Sequence, residues 1–156
     1  MHSVRVVVWR PHLITGAPEF LVLEYENFDF EKGKFHPRQT RFVHGSNRND
    51  REETPEETAV WTLYMDTGLM VPEKKIKTVA WRNTPDEDRM RFAYMVALED
   101  CSGEIRRSGF DRKHKRASHP FWMSKEEVDF RFRGRHPDRW VVGPAVDRVL
   151  SQRQCA

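Results

Sequence analysis

The sequence predicts an α+β fold, a sheet packed between helices in a single domain over residues 1–156. Three observations predict it. Residues 4–9 and 19–26 are compact apolar runs, too short for helices, separated by the turn residues Gly16, Ala17 and Pro18. A capped helical segment follows between Thr54 and Gly68. Strand-like and then helix-like segments close the chain, an order that layered α+β proteins share.

Taken in order, residues 4–9 are a β-branched run ended by Pro11, and residues 19–26 begin as a buried strand and pass into alternation. Residues 27–37 mix Phe28, Phe30 and Phe35 with acids and Gly33, which predicts a loop carrying aromatics. Residues 38–43 predict a further short strand, ending at His44-Gly45-Ser46-Asn47. Thr54 is a good N-cap, Pro55 suits the first helical position, and Glu57 stands where a capping-box partner belongs. Gly68 is placed to end that helix after Thr67. Residues 76–81 and 90–98 predict two strands around a polar turn at 83–88. Residues 121–124 predict a short strand, after which Ser124 caps a short helix with Glu127 at its third position. Residues 138–152 predict a last helix, interrupted near Gly143-Pro144. Trp9, Trp61, Trp81, Trp122 and Trp140 fall on apolar faces of these elements and are expected in the core.

Length and composition narrow the functional classes. A chain of 156 residues, 38% hydrophobic and 33% charged, can build one domain with a real core and is not disordered. A net charge of +3 is too small for a general nucleic-acid footprint, but the charge is uneven. Arg106, Arg107, Arg112, Lys113, Lys115 and Arg116 face one acid, Asp111, within a single stretch. Cys101 and Cys155 belong to no paired ligand spacing, so neither a zinc site nor a disulfide framework is supported. The N-terminal apolar run is too short for a signal segment, and no run approaches the roughly 20 residues that span a bilayer. A cytoplasmic protein without a membrane partner is expected. His36, His44, His114, His119 and His136 are expected in loops without ligand spacing. No phosphate-binding loop of the ATPase or dinucleotide type occurs, nor any local serine or cysteine nucleophile signature.

Residues 53–69, Glu-Thr-Pro-Glu-Glu-Thr-Ala-Val-Trp-Thr-Leu-Tyr-Met-Asp-Thr-Gly-Leu, resemble the Nudix box of the nucleoside-diphosphate-linked-X hydrolases. That pattern is G-x5-E-x7-R-E-U-x-E-E-x-G-U, with U apolar. Anchored on Gly68 and Leu69, it places its first glutamate at Glu53 and its first apolar position at Leu63. Residues 121–127, Phe-Trp-Met-Ser-Lys-Glu-Glu, are similar to a W-V-S-x-E-E stretch common late in the family. The resemblance implies a Nudix-like α/β/α sandwich with a mixed sheet between helices. It also implies a phosphoanhydride hydrolase whose magnesium ions neutralise a diphosphate and acidify water.

The carboxylates that bind those ions are where this chain departs. Magnesium takes hard oxygen ligands, and the family supplies them at i, i+3 and i+4 of one helix face. Here these positions are Thr62, Met65 and Asp66, and the arginine that organises the cluster is Trp61. A hydroxyl is a weak substitute for an anion, and a thioether is the wrong ligand class. The box glycine falls on Asn47.

The expectation is a diverged Nudix-family protein that acts on or binds nucleoside-diphosphate-type ligands, its magnesium-dependent pyrophosphohydrolase activity weak or lost. Glu53 and Asp66 are the residual box positions, and Asp66 is the one remaining metal position. Magnesium is implied only if the protein is active. Arg112, Lys113, Lys115 and Arg116 are candidates to neutralise phosphate without metal, by charge-assisted hydrogen bonds. His44 precedes the loop expected to cradle the diphosphate, and Phe28 and Phe35 stand where the family often stacks a base. Each has a plainer competitor: the phenylalanines as packing under a loop, the cations as a solvated surface. Two functional alternatives stay open. One is an active pyrophosphohydrolase with a metal site rebuilt from Asp66, Glu53 and Glu99, Asp100 or Asp111. The other is a non-catalytic module that contacts RNA or protein through the basic loop.

Overall fold

The computed structural model, which describes residues 1–47, 52–84, 89–111 and 116–154, is organised around β1 (His2–Pro11). Ser3 to Val8 are all buried, so this strand is covered on both faces. Parallel to it runs β7 (Arg89–Ala97), which pairs antiparallel with β6 (Lys77–Thr84) at the sheet edge. On its other side β1 meets β2 (Pro18–Asp29) only over Trp9 to Pro11. The two strands then diverge, and the wedge between them is filled by β4 (Gln39–Arg41) on β2 and β5 (Val43–Ser46) on β1. β2 continues the sheet to β9 (Arg116–Ser124) and β8 (Gly109–Asp111).

Alternation along the strands divides the core in two. Val4, Val6 and Val8 join Leu21, Leu23 and Tyr25 against α1 (Pro55–Thr67), which contributes Ala59 and Leu63. Val7, Phe20, Val22 and Met95 face the other way, towards Val128 of α2 (Lys125–Arg131). The same layer holds a C-terminal helical segment: α3 (Arg139–Val141), a π-helical turn (Val142–Asp147) and α4 (Arg148–Gln154). Each fully buried Val or Leu contributes about 1.5–3 kcal/mol, so these two layers hold the fold. The expected sandwich is the one observed.

Local signals act as the residue chemistry dictates. Thr54 Oγ1 accepts the Glu57 N–H at 3.1 Å, but the Glu57 carboxylate takes the Thr54 hydroxyl instead of a backbone N–H, so that box is half closed. Gly68 has φ 86° and returns its N–H to the Tyr64 carbonyl at 2.8 Å, a left-handed cap that a Cβ would strain. At α2 both halves of the capping box form, between Ser124 and Glu127.

Several expectations need correction. The aromatic stretch after residue 27 is no open loop: β2 runs on to Asp29, and β3 (Lys34–Phe35) folds back so that Phe28 pairs with Phe35. The single strand expected at 38–43 is two, β4 and β5, which serve different neighbours on either side of Phe42. The strand expected at 121–124 begins at Arg116, and His119 and His44 sit in strands. Trp61 and Trp81 are not core residues; they are 38% and 64% exposed, because α1 turns Trp61 outward and Trp81 lies on the edge strand. The last helix is not broken at Gly143-Pro144 but widened there, a π-turn accommodating the N–H that proline lacks. Among the described residues no helix is long and apolar enough to cross a membrane.

On the α2 side the chain buries a charge that nothing in the sequence announced. Asp138 is fully buried. Its Oδ1 accepts from Arg5 Nε at 2.7 Å and Arg41 Nη2 at 2.9 Å; its Oδ2 accepts from Arg41 Nε at 2.9 Å and the Phe42 N–H at 3.0 Å. Burial alone would raise this carboxyl, but the Arg41 hydrogen bonds and the charges of Arg41 and Arg5 together lower it to about 2. Next to it, His136 Nδ1 accepts the Asp138 N–H, so Nε2 carries the proton to the Thr40 carbonyl at 2.7 Å, and burial lowers its pKa.

Candidate functional site around the end of helix α1

Helix α1 packs against β1 and β5 with one side, and that side carries Thr62 and Asp66 of the box positions. Thr58, Thr62 and Asp66 recur at i, i+4 and i+8, and all three are buried. Thr62 is pressed onto Gly45 so closely that a Cβ built there would lie 2.5 Å from Thr62 Oγ1. The strand can approach only because residue 45 is glycine. At the position that the resemblance aligns with a box glutamate, this chain has a helix–strand contact.

Asp66, 4% exposed, accepts a hydrogen bond from the Tyr25 hydroxyl at 2.7 Å. The Tyr25 ring meets His44 edge-on, with centroids 4.5 Å apart, and Ser118 on β9 donates to the Asp66 carbonyl at 3.3 Å. His44 Nδ1 is 3.3 Å from the Phe42 carbonyl, and the imidazole also bears on Asp138 from the wedge between β1 and β2. The structure thus brings together two of the residues expected from sequence, Asp66 and His44, and adds Tyr25 and Ser118. Tyr25 was legible in principle, since it follows Leu21 and Leu23 at the strand period on the helix-facing side.

Glu53 lies elsewhere. It precedes the N-cap, roughly 20 Å from Asp66 at 1.5 Å per residue, and its carboxylate accepts from Thr58 Oγ1 at 2.9 Å. Thr58 in turn accepts from His2 Nε2 at 2.7 Å, and burial lowers the His2 pKa. One magnesium ion cannot engage both Glu53 and Asp66. Glu99 and Asp100 occupy a 3-10 turn after β7, where Asp100 lies 3.7 Å from Lys75. Asp111 is in β8. Among the described residues no three His, Cys, Asp or Glu side chains converge as a metal site would require. With Thr62 neutral and buried, Met65 a thioether and Asp66 bonded to Tyr25, the residues present do not fit magnesium in the family's manner. Nor is Cys101 a nucleophile, since burial and the charge of Asp100 push its thiol up to about 11.

The basic segment divides. Arg106 is structural: its Nη2 donates to the Tyr64 carbonyl at 2.7 Å and to that of Met65, placing a cation at the negative end of α1, which has no basic residue in its last turn. Arg116 opens β9 opposite Asn27, two residues before Ser118. Arg112, Lys113 and Lys115 lie outside the described residues, between β8, which packs beside α1, and β9. Phe28, Phe30 and Phe35 form an edge-to-face cluster with centroids 4.7 and 5.2 Å apart. The alternation of β2 sets Phe28 with Val22 and Glu24, on the face opposite α1.

No family model and no curated protein matches the sequence. Solved structures do match its fold. The NUDIX domain of Shewanella oneidensis NrtR, solved with ADP ribose, aligns at TM-score 0.65 and 15% identity over 96% of this chain and 88% of that one. A mutT/nudix family protein from Listeria innocua aligns at TM-score 0.64 and 13% identity, covering 99% and 97%. The T. brucei MERS1–RNA complex aligns at TM-score 0.55 and 14% identity over 83% of this chain and 53% of that chain. By this likeness the chain has the Nudix fold.

Proposed function

We propose that this protein binds a nucleoside-diphosphate-type ligand beside the C-terminal half of α1 and has weak or no magnesium-dependent pyrophosphohydrolase activity. The Tyr25–Asp66 hydrogen bond carries the proposal. It engages the last carboxylate of the box in the interior, while Gly45 closes over Thr62. Recognition then falls to cations: Arg112, Lys113, Lys115 and Arg116 follow β8, which packs beside α1, in the sequence and precede Ser118, which bonds the Asp66 carbonyl, and guanidinium and ammonium groups neutralise phosphate without a metal. The ADP-ribose complex of a protein with the same fold supports that ligand class.

Calorimetry with ADP-ribose, with and without magnesium, alongside chromatography of the products, tests this. Binding that is indifferent to magnesium, with no AMP released, is the expected result. Turnover within the usual enzymatic range of about 1–10³ s⁻¹ would sink it. A second reading, contact with RNA through the same basic segment, is favoured by the fold's likeness to an RNA complex. A single-stranded oligonucleotide that binds far more tightly than ADP-ribose would select it.

A further inference from the structure

A cleft opens between α2 and the C-terminal helical segment, in the layer on the sheet face opposite α1. It measures about 550 Å³, inside the roughly 300–1,000 Å³ typical of small-molecule sites. Into its lining α2 puts Lys125 and Asp129, and the C-terminal segment puts Arg139, Trp140, Gly143 and Asp147. Each element is fixed from outside the cleft. The closed capping box of Ser124 and Glu127 sets the start of α2, and so Lys125, its first residue. Asp138, held by Arg5 and Arg41, immediately precedes Arg139 and Trp140. The π-turn across Gly143-Pro144 carries Asp147, and a Cβ built on Gly143 would lie 3.9 Å from its Oδ2. Turns of this kind are frequent at functional sites.

The charges of the cleft divide into a used pair and two unused groups. Lys125 Nζ lies 2.8 Å from Asp129 Oδ2, one helical turn away. The Lys125 pKa is raised, first by this hydrogen bond and then by the charges of Asp129 and Asp147, so Asp147 stands within electrostatic reach of the pair. Arg139 and Asp147 are exposed and form no ion pair or side-chain hydrogen bond among the described residues. Trp140, half-buried, joins Val142 and Pro144 as the apolar part of the lining. A simple anion entering here meets Asp129 and Asp147, and a simple cation meets Lys125 and Arg139. A molecule carrying both charges finds a partner for each.

We propose that Arg139, Trp140 and Asp147 bind a small zwitterion, an ammonium and a carboxylate on an apolar frame, for which free amino acids and short peptides are the two sources. Arg139 takes the carboxylate, since a guanidinium fork suits a bidentate acceptor. Asp147 takes the ammonium, and Trp140 with Pro144 packs the apolar side chain. The site is separate from the one proposed beside α1 and does not depend on it.

The probes are L-leucine and L-leucyl-L-leucine, titrated calorimetrically into the full chain beside their N-acetyl and amide forms. One-to-one binding of a zwitterion is expected, and the tighter of the two identifies the source. Each blocked form should bind about tenfold more weakly, the size of one charge-assisted hydrogen bond. Arg139→Gln should erase the advantage over the amide and leave that over the N-acetyl form. Asp147→Asn should do the opposite. Both side chains are exposed, so neither change should move the melting temperature. Absence of saturable binding by either zwitterion overturns the proposal. Blocked forms that bind as tightly overturn it too, as does competition from ADP-ribose, which would put the nucleotide ligand in this cleft.

Discussion

The two faces of the sheet treat a buried carboxylate in different ways. Against α1, Asp66 accepts from the hydroxyl of Tyr25, and hydroxyls of Thr58, Thr62 and Ser118 occupy the rest of the contact. Against α3, Asp138 is clamped by two guanidiniums and a backbone N–H. The first arrangement seats α1 on the sheet; the second fastens the C-terminal helical segment to β1 and β4. A largely neutral, hydroxyl-lined contact on one face is thus compatible with a strongly ionic interior on the other.

Breaking the clamp should have the largest effect. Asp138→Asn leaves Arg5 and Arg41 buried without a counter-charge, which costs about 3–5 kcal/mol, measurable by urea denaturation. Its pH signature has a definite sign. The folded carboxyl titrates at about 2 against an ordinary 3.8, so its stabilisation is complete above about pH 4 and is lost as pH falls towards 2. The variant should lack that acid dependence.

On the α1 face the expected effects are smaller and concern space. Gly45→Ala forces a Cβ into Thr62, and overpacking of this kind costs roughly 1–3 kcal/mol. Adding Thr62→Ala should recover part of the loss, an interaction that a double-mutant cycle reads directly. Thr62→Glu, which puts a carboxylate where the Nudix box has one, should destabilise the protein for the same reason instead of creating a magnesium site. A calorimetric gain of magnesium affinity in that variant, with stability intact, would show that the contact between Gly45 and Thr62 opens readily.

The smallest effect sharpens the contrast between a cation that caps and the cations proposed to bind phosphate. Arg106→Gln removes the charge at the end of α1 and should lower stability by about 0.3–1 kcal/mol. ADP-ribose affinity should hardly change, whereas replacing Arg112, Lys113, Lys115 and Arg116 together should do the reverse.

How far each region was legible follows from the range of its interactions. Thr54, Pro55 and Gly68 specify α1 locally, and Ser124 with Glu127 specifies α2, so both were readable from a few adjacent residues. The ionic clamp was not, because Arg5, Arg41 and Asp138 come from three distant segments and singly resemble surface charges. β3 and the split between β4 and β5 were missed because pairing partners, not local pattern, decide such short strands. At the candidate site Asp66 and His44 were singled out separately from sequence, but their common contact with Tyr25 and the burial of Asp66 depend on strand register. The tryptophans show the same limit. Apolar periodicity placed Trp61 and Trp81 inside, and only knowledge of the sheet edge and of the helix face reveals them outside.

The parallel pairing of β1 with β7 has a consequence for how this chain is made. Every residue of β1 from His2 to Trp9 finds a partner in β7, across more than half of the polypeptide. Contacts of such long sequence separation form slowly, since a large loop must close first. During synthesis the run Val6-Val7-Val8 therefore emerges early and waits for the strand that will cover its flank, exposed to pairing with other nascent chains. Refolding yield should fall steeply with protein concentration, and a chain truncated before Arg89 should collect as aggregate instead of a smaller folded unit.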